Sequence, residues 1–188
     1  DTAQKLALSS AERDDVRYFT GANGTGTELF LATDPALTGV MSMVISVKDD
    51  IDVDASGLIT VSADGHIFLG SEINIQLEQL DAGSDIRVKG ASGIFDAIDR
   101  GTSPTTPNIS GGNTILEGGG GNIGTGAKPI LLNLDPGATI TARAGFSGGA
   151  AVDIYLSEIA GNMNVDTIFA SGTAKLVAQD SILDGYDT

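Results

Sequence analysis

The sequence predicts an all-β chain wound as a parallel β-helix, and three observations carry that expectation. The first is an internal echo: the segment from Asn74 to Ala97 matches the segment from Asn162 to Gly185 without a gap, at a constant offset of 88 residues. Asn74 falls on Asn162, Leu77 on Val165, Leu80 on Ile168, Ile94 on Ile182 and Asp96 on Asp184. Both copies also break a period of two with the same three-residue step, Leu77 to Leu80 and Val165 to Ile168. A shared irregularity implies a shared backbone path, which is the signature of a repeat architecture. The second observation is a series of short runs alternating apolar and polar residues, most of them closed by Gly, Asn, Asp or Ser. The third is composition: of 188 residues 26 are Gly and 5 are Pro, 41% are apolar and 5% aromatic, with no Trp. That is too apolar for a disordered chain and suits a narrow interior of small and β-branched side chains.

Residues 1–40 lie outside this texture and are expected to form an irregular first coil or cap. Within them Lys5 to Tyr18 reads either as a short helix started by Ser9, Ser10 and Glu12 or as a strand through Leu6 and Leu8 followed by a charged turn. Residues 41–188 are expected to form the β-solenoid. Its strand runs are Ile59–Val61, Ile67–Leu69, Ile75–Leu77, Ile86–Val88, Thr114–Leu116, Ile130–Leu132, Thr139–Thr141, Ile154–Leu156, Met163–Val165 and Lys175–Val177. Three strand–turn units of about eight or nine residues give coils of roughly 24–27 residues, so the offset holds about three coils plus an insertion. Ile67, Leu69, Ile75, Leu77, Ile154, Leu156, Met163 and Val165 are expected to point inward and stack about 4.8 Å apart from coil to coil. Residues 98–112, polar and proline-bearing, read as a loop leaving the solenoid. The competing architecture is an antiparallel sandwich of two tandem small domains.

The stretches Ile59–Glu72, Asp85–Gly90, Asn113–Gly118 and Asp180–Gly185 resemble large secreted bacterial repeat proteins, in particular filamentous-haemagglutinin-like adhesins with parallel β-helical stalks. The likeness covers roughly residues 40–188 and is one of texture rather than of a diagnostic motif. It implies an extracellular or cell-surface, non-enzymatic module of a very long protein, and it transfers no catalytic residue.

Charge and composition narrow the partners. A net charge of −15 repels nucleic acid and anionic lipid headgroups while favouring divalent cations. No apolar run reaches the roughly 18–20 residues of a membrane helix. The absence of Cys excludes disulfides and thiolate chemistry. A chain that starts at Asp1 with no signal-peptide pattern reads as an internal piece or a processed product.

The chemical motifs are weighed against this scaffold. Gly119-Gly120-Gly121-Asn122-Ile123-Gly124 satisfies G-x-G-x-x-G, but Lys128-Pro129 and another strand follow where a dinucleotide site needs a helix, so a glycine-rich corner is expected. His66, the only histidine, sits between Gly65 and a strand, as a turn residue does, and the echo places Ile154 in its equivalent position. Paired carboxylates on a β-helix could support polysaccharide cleavage. The chain offers only three Tyr, six Phe and ten basic residues for such a groove, with Arg87 and Lys175 equivalent in the echo as a candidate basic pair on one face. Asn108-Ile109-Ser110 matches a glycosylation acceptor.

The most credible site is the acidic run Asp49, Asp50, Asp52 and Asp54. Asp50, Asp52 and Asp54 alternate with Ile51 and Val53, so in a strand they share one face and offer hard oxygen ligands to calcium. The run is not an EF-hand loop, because Ala55 and Val61 stand where its Gly and Glu belong. Three functions therefore remain in view: a structural or adhesive segment of an extracellular filament, a calcium-stabilised surface-layer or fibre subunit, and a carbohydrate-active enzyme. The expected partners are neighbouring repeats, identical subunits or a surface glycan.

Overall fold

The computed structural model describes the strand backbones of Val16–Thr20, Thr27–Leu31 and Met41–Ile45, and residues 50–53, 55–99, 105–145 and 150–186. The chain divides into two compact units, Asp1–Asp49 and Asp50–Thr188. In the first unit β1 (Val16–Thr20), β2 (Thr27–Leu31) and β3 (Met41–Ile45) form an antiparallel meander in the order β1-β2-β3. Val16–Tyr18 of the helix-or-strand segment falls in β1, and Lys5 to Asp15 lie outside the described residues.

The second unit is all-β among the described residues and consists of two parallel seven-stranded sheets. In chain order its strands are β4 (Ile51–Asp52), β5 (Leu58–Ala63), β6 (Ile67–Ser71), β7 (Ile75–Ala82), β8 (Ile86–Gly90), β9 (Ile94–Asp96) and β10 (Ile109–Gly111), followed by β11 (Thr114–Gly118), β12 (Ile130–Leu134), β13 (Thr139–Ala144), β14 (Ile154–Glu158), β15 (Met163–Ala170), β16 (Ala174–Ala178) and β17 (Ile182–Asp184). Sheet I runs β4-β6-β8-β11-β13-β15-β17; sheet II runs β5-β7-β10-β12-β14-β16, with β9 also paired to β7. Parallel neighbours need a crossover between them, and here the strand contributed to the opposite sheet serves as that crossover. All ten strand runs expected from alternation coincide with strands, and the parallel pairing removes the antiparallel sandwich.

The repeat length meets the expected 24–27 residues in two circuits, is one residue longer in a third and is shorter at both ends. Along sheet I, Ile67 pairs with Ile86, Ile86 with Thr114, Thr114 with Ile140, Ile140 with Val165 and Val165 with Asp184, giving steps of 19, 28, 26, 25 and 19 residues. The terminal circuits carry two strands joined by short turns rather than three strand–turn units. The longer middle circuits gain their length from the connections β9 to β10, Ile123 to β12 and β13 to β14. The segment 98–112 is correspondingly not all loop, since Ile109–Gly111 is β10 in sheet II.

Alternation fills the space between the sheets. Ile75, Ile94, Ile123 and Ile154 pair in succession, and each is fully buried. Of the eight residues expected to point inward, Ile67, Leu69, Ile75, Leu77, Ile154, Leu156 and Met163 are buried and Val165 packs against the core. Each such isoleucine or leucine contributes about 1.5–3 kcal/mol of burial.

The echo is structural, and it extends beyond the segment visible in sequence. Three pairings of β5 to β9 recur in β13 to β17 with the same registers: β5·β7 as β13·β15, β6·β8 as β14·β16, and β7·β9 as β15·β17. The repeated three-residue step is a β-bulge, with Glu78 the extra residue opposite Ile59/Thr60 and Asp166 the extra residue opposite Ile140/Thr141. The two copies exchange sheets: β7 lies in sheet II and β15 in sheet I, because 88 residues span a half-integral number of circuits. Arg87 in β8 and Lys175 in β16 are thereby assigned to different sheets, so the equivalent basic residues form no pair on one face.

The glycine run is a packing corner. A Cβ on Gly121 would collide with the Ser92 carbonyl oxygen, and one on Gly119 would come within 2.6 Å of the Ala91 carbonyl oxygen, so only glycine lets this turn rest on the turn below it.

Candidate functional site

The acidic strand is placed in part. Asp50 and Asp52 flank Ile51 of β4, share one face and crowd the space over Gly70, the register partner of Asp52. Asp54 lies outside the described residues. Arg87 reaches across from β8, with Nη1 3.6 Å from Asp50 Oδ1 and Nη2 donating to Glu117 Oε2 at 3.0 Å. The guanidinium thus links carboxylates from β11 and from the start of β4. Asp50 Oδ1 itself is buried and accepts no hydrogen bond. A cavity of about 170 Å³ is lined by Asp52, Val53, Ser71 and Glu72. Among the described residues no three His, Cys, Asp or Glu side chains converge on a common metal position.

His66 belongs to a polar ladder along one corner. Its Nδ1 accepts the Asp85 backbone N–H at 3.3 Å, and its ring stacks on Phe68 with centroids 5.5 Å apart. Because Nδ1 accepts, the proton of the neutral ring resides on Nε2. The ladder continues as Asn113 Nδ2 donates to Asp85 Oδ1 at 3.2 Å and the Thr139 N–H donates to Asn113 Oδ1 at 3.0 Å. A second corner repeats the device: the Asp153 N–H donates to Asn122 Oδ1 at 2.8 Å and the Thr173 N–H to Asp153 Oδ1 at 2.7 Å. Tyr155 donates its hydroxyl to Asp153 Oδ2, and this bond holds the phenol above its ordinary pKa. Such side chains satisfy the backbone groups that a turn leaves outside either sheet.

Two polar residues are buried where the sequence reading placed a surface acceptor, Asn108, or nothing at all, Glu158. Asn108 is fully buried; its Nδ2 donates to the Leu77 carbonyl at 3.1 Å and Asp96 Oδ1 at 2.7 Å, while its Oδ1 accepts the Leu131 N–H at 2.9 Å. It therefore ties together three circuits at the point where the chain returns to sheet II. Glu158 closes β14 at an inward position, 1% exposed, in a row with Leu132, Ile109 and Leu80. Its carboxyl accepts N–H groups from Leu134 at 3.3 Å and Ala160 at 3.2 Å. Burial pushes its pKa up to about 7 against those two donors. The period-two series Ile154, Leu156, Glu158 was the available signal for its inward position.

The third feature is the end formed by β16 and β17, the last strands of their sheets. Val177, Ile182, Leu183 and Tyr186 are exposed there, and Ile182 is 49% exposed where its equivalent Ile94 is fully buried. Ile94 is covered by Ile123 of the next circuit, while β17 has only β15 beside it among the described residues. No family model matches this chain, and no curated protein or solved structure matches it.

Proposed function

We propose that the chain is a β-solenoid segment with a structural or adhesive role in a large extracellular or cell-surface bacterial protein of the filamentous-haemagglutinin-like type that its sequence resembles. The observation supporting this reading is the sheet-exchanging duplication: one five-strand module is used twice with the same registers, as in an architecture that extends by repetition. An apolar cluster lies between the sheets, and the polar side chains described above act as internal ties and corner ladders. Recognition of a surface glycan or a neighbouring repeat belongs to loops on such a scaffold, with the connection between β9 and β10 the leading candidate. The test is a depolymerisation screen on acidic polysaccharides followed by reducing ends, together with electron microscopy of the particles. Rod-shaped particles without turnover support the scaffold. Turnover abolished by a single carboxylate substitution overturns it.

A second reading, a calcium-stabilised assembly unit, draws on Asp50 Oδ1, a buried carboxylate oxygen without a hydrogen bond beside Asp52. Calcium at Asp50, Asp52 and Asp54 would raise the melting temperature by binding the folded state. Melting in calcium, in chelator and in sodium chloride of matched ionic strength decides it: sodium chloride performing as well as calcium leaves only screening and removes this reading.

A further inference from the structure

We propose that Glu158 is a proton-operated latch on the corner between β14 and β15: as a neutral acid it holds residues 159–162 closed on the core, and as a carboxylate it lets that corner open to water. The latch is a property of the fold and does not depend on what the scaffold binds.

The duplication supplies the comparison. β6 and β14 hold the same register on β8 and β16, with Ser71 opposite Gly90 and Glu158 opposite Ala178, so Ser71 stands in the place of Glu158. Both residues end their strands and cap the turn that follows: the Ile73 N–H donates to Ser71 Oγ at 3.2 Å, and the Ala160 N–H donates to Glu158 Oε1 at 3.2 Å. Their main chains are tied alike, the Ala91 N–H donating to the Ser71 carbonyl at 2.9 Å and the Gln179 N–H to the Glu158 carbonyl at 3.1 Å. A neutral hydroxyl therefore suffices for this cap, and the second module carries an ionisable group instead.

The surroundings of Glu158 do little for a negative charge. The side chain is 1% exposed in an inward column with Leu80, Ile109, Leu132 and Ala178. Its second oxygen accepts the Leu134 N–H at 3.3 Å, so each carboxyl oxygen has one long bond to a neutral amide. Among the described residues no ion pair reaches it. Of the elements packed around it, β12 carries no charged residue, and Arg143 of β13, Asp166 of β15 and Lys175 of β16 are exposed, as are Asp135 and Asp180 just beyond β12 and β16. On β14 itself Tyr155 is bonded to Asp153.

The corner also has a way to open. Residues 159–162 make a turn one residue longer than residues 72–74 of the first module, and Gly161 within it takes a φ of +79° with open space where a Cβ would stand. Ala160, whose N–H the carboxyl holds, is exposed, so the turn alone separates Glu158 from water on that side. In the closed corner burial keeps the pKa near 7, and in the open corner the carboxyl returns toward its ordinary 4.5. The open form thus binds the proton less tightly, and opening becomes easier as the pH rises from about 4.5 to about 7, with little further change above.

The experiment is amide hydrogen exchange of the full chain, followed by NMR from about pH 5 to about pH 8 with each rate divided by its intrinsic value at that pH. The wild type is compared with Glu158→Gln, and Glu158→Ser, which copies Ser71, replaces that variant if it melts. In the wild type the protection of Leu134, Ala160 and Asp180, whose N–H donates to the Gly161 carbonyl, should fall more than about tenfold between pH 5 and pH 7 and then level off. That fall should not respond to sub-denaturing urea, because a local opening exposes little surface. The urea-independent exchange of Ile73 and Ala91, at the Ser71 corner, should stay level with pH, as should that of the Glu158 corner in the variant. Corner protection that is level in the wild type, that falls equally at Ser71 or in the variant, or that matches the buried Ile94 in both size and urea response overturns the latch.

Discussion

Glu78 and Asp166 occupy the same bulge in two different sheets, and each carboxylate accepts a hydrogen bond from a threonine on the preceding circuit. Thr60 Oγ1 donates to Glu78 Oε2 at 2.6 Å and Thr141 Oγ1 to Asp166 Oδ2 at 2.7 Å. A bulge adds a residue to one strand and interrupts its ladder, so a carboxylate there can bind sideways to the neighbouring strand and hold the register on both sides.

The two bulges are expected to differ in worth because their threonines differ in burial. Thr141 is buried and Thr60 is exposed, so Thr141→Val should cost about 1 kcal/mol and Thr60→Val no more than about 0.5 kcal/mol. Urea denaturation of the two variants measures the difference. Equal costs would show that the bulge bond does not depend on its surroundings.

Ile94 and Ile182 provide an internal control for the role of the covering circuit. Ile94→Ala should cost about 3 kcal/mol, in the range of a buried large-to-small change, while Ile182→Ala in dilute protein should cost under about 1 kcal/mol. Leu77→Asp, which puts a charge in a fully buried site, should cost more than either and abolish cooperative unfolding. Thermal and urea melts provide the comparison.

Asn108 is predicted to be a tie rather than a modification site. With the residue fully buried and its side-chain amide engaged at both ends, Asn108-Ile109-Ser110 should remain unmodified when the folded chain meets an oligosaccharyltransferase, as read by intact mass. Asn108→Ala should destabilise by about 1–3 kcal/mol, since it takes the side-chain acceptor from the buried Leu131 N–H.

Glu158 should make stability fall with rising pH near neutrality. Its folded pKa of about 7 lies above the unfolded value of 4.5, so the folded state binds the proton more tightly. The contribution is fully present below about pH 4.5 and is lost as the pH rises through about 7, a change of about 3 kcal/mol. Urea midpoints from pH 5 to 8.5 should therefore decline for the wild type more steeply than for Glu158→Gln, which cannot ionise. Parallel profiles would remove the assignment to Glu158.

The sequence by itself determined where strands form and which side chains they bury. Period-two alternation at Ile75, Leu77, Ile154 and Leu156 is a local property, and the step from Leu77 to Leu80 marks a bulge because an extra residue must appear in the count. The acidic alternation of Asp50 and Asp52 likewise placed two carboxylates on one face, since side-chain direction in a strand follows from spacing alone. Tertiary structure alone decided which sheet each strand joins. That choice depends on how many half-circuits separate two strands, and the long middle connections leave the number open in one dimension; the exchange of β7 and β15 between sheets, and the separation of Arg87 from Lys175, follow from it. The burial of Asn108 arises from contacts 12 to 31 residues away along the chain, which no local pattern encodes. The burial of Ile94 against the exposure of Ile182 has the same origin: Ile94 is covered by Ile123 of the next circuit, and among the described residues Ile182 has no such neighbour.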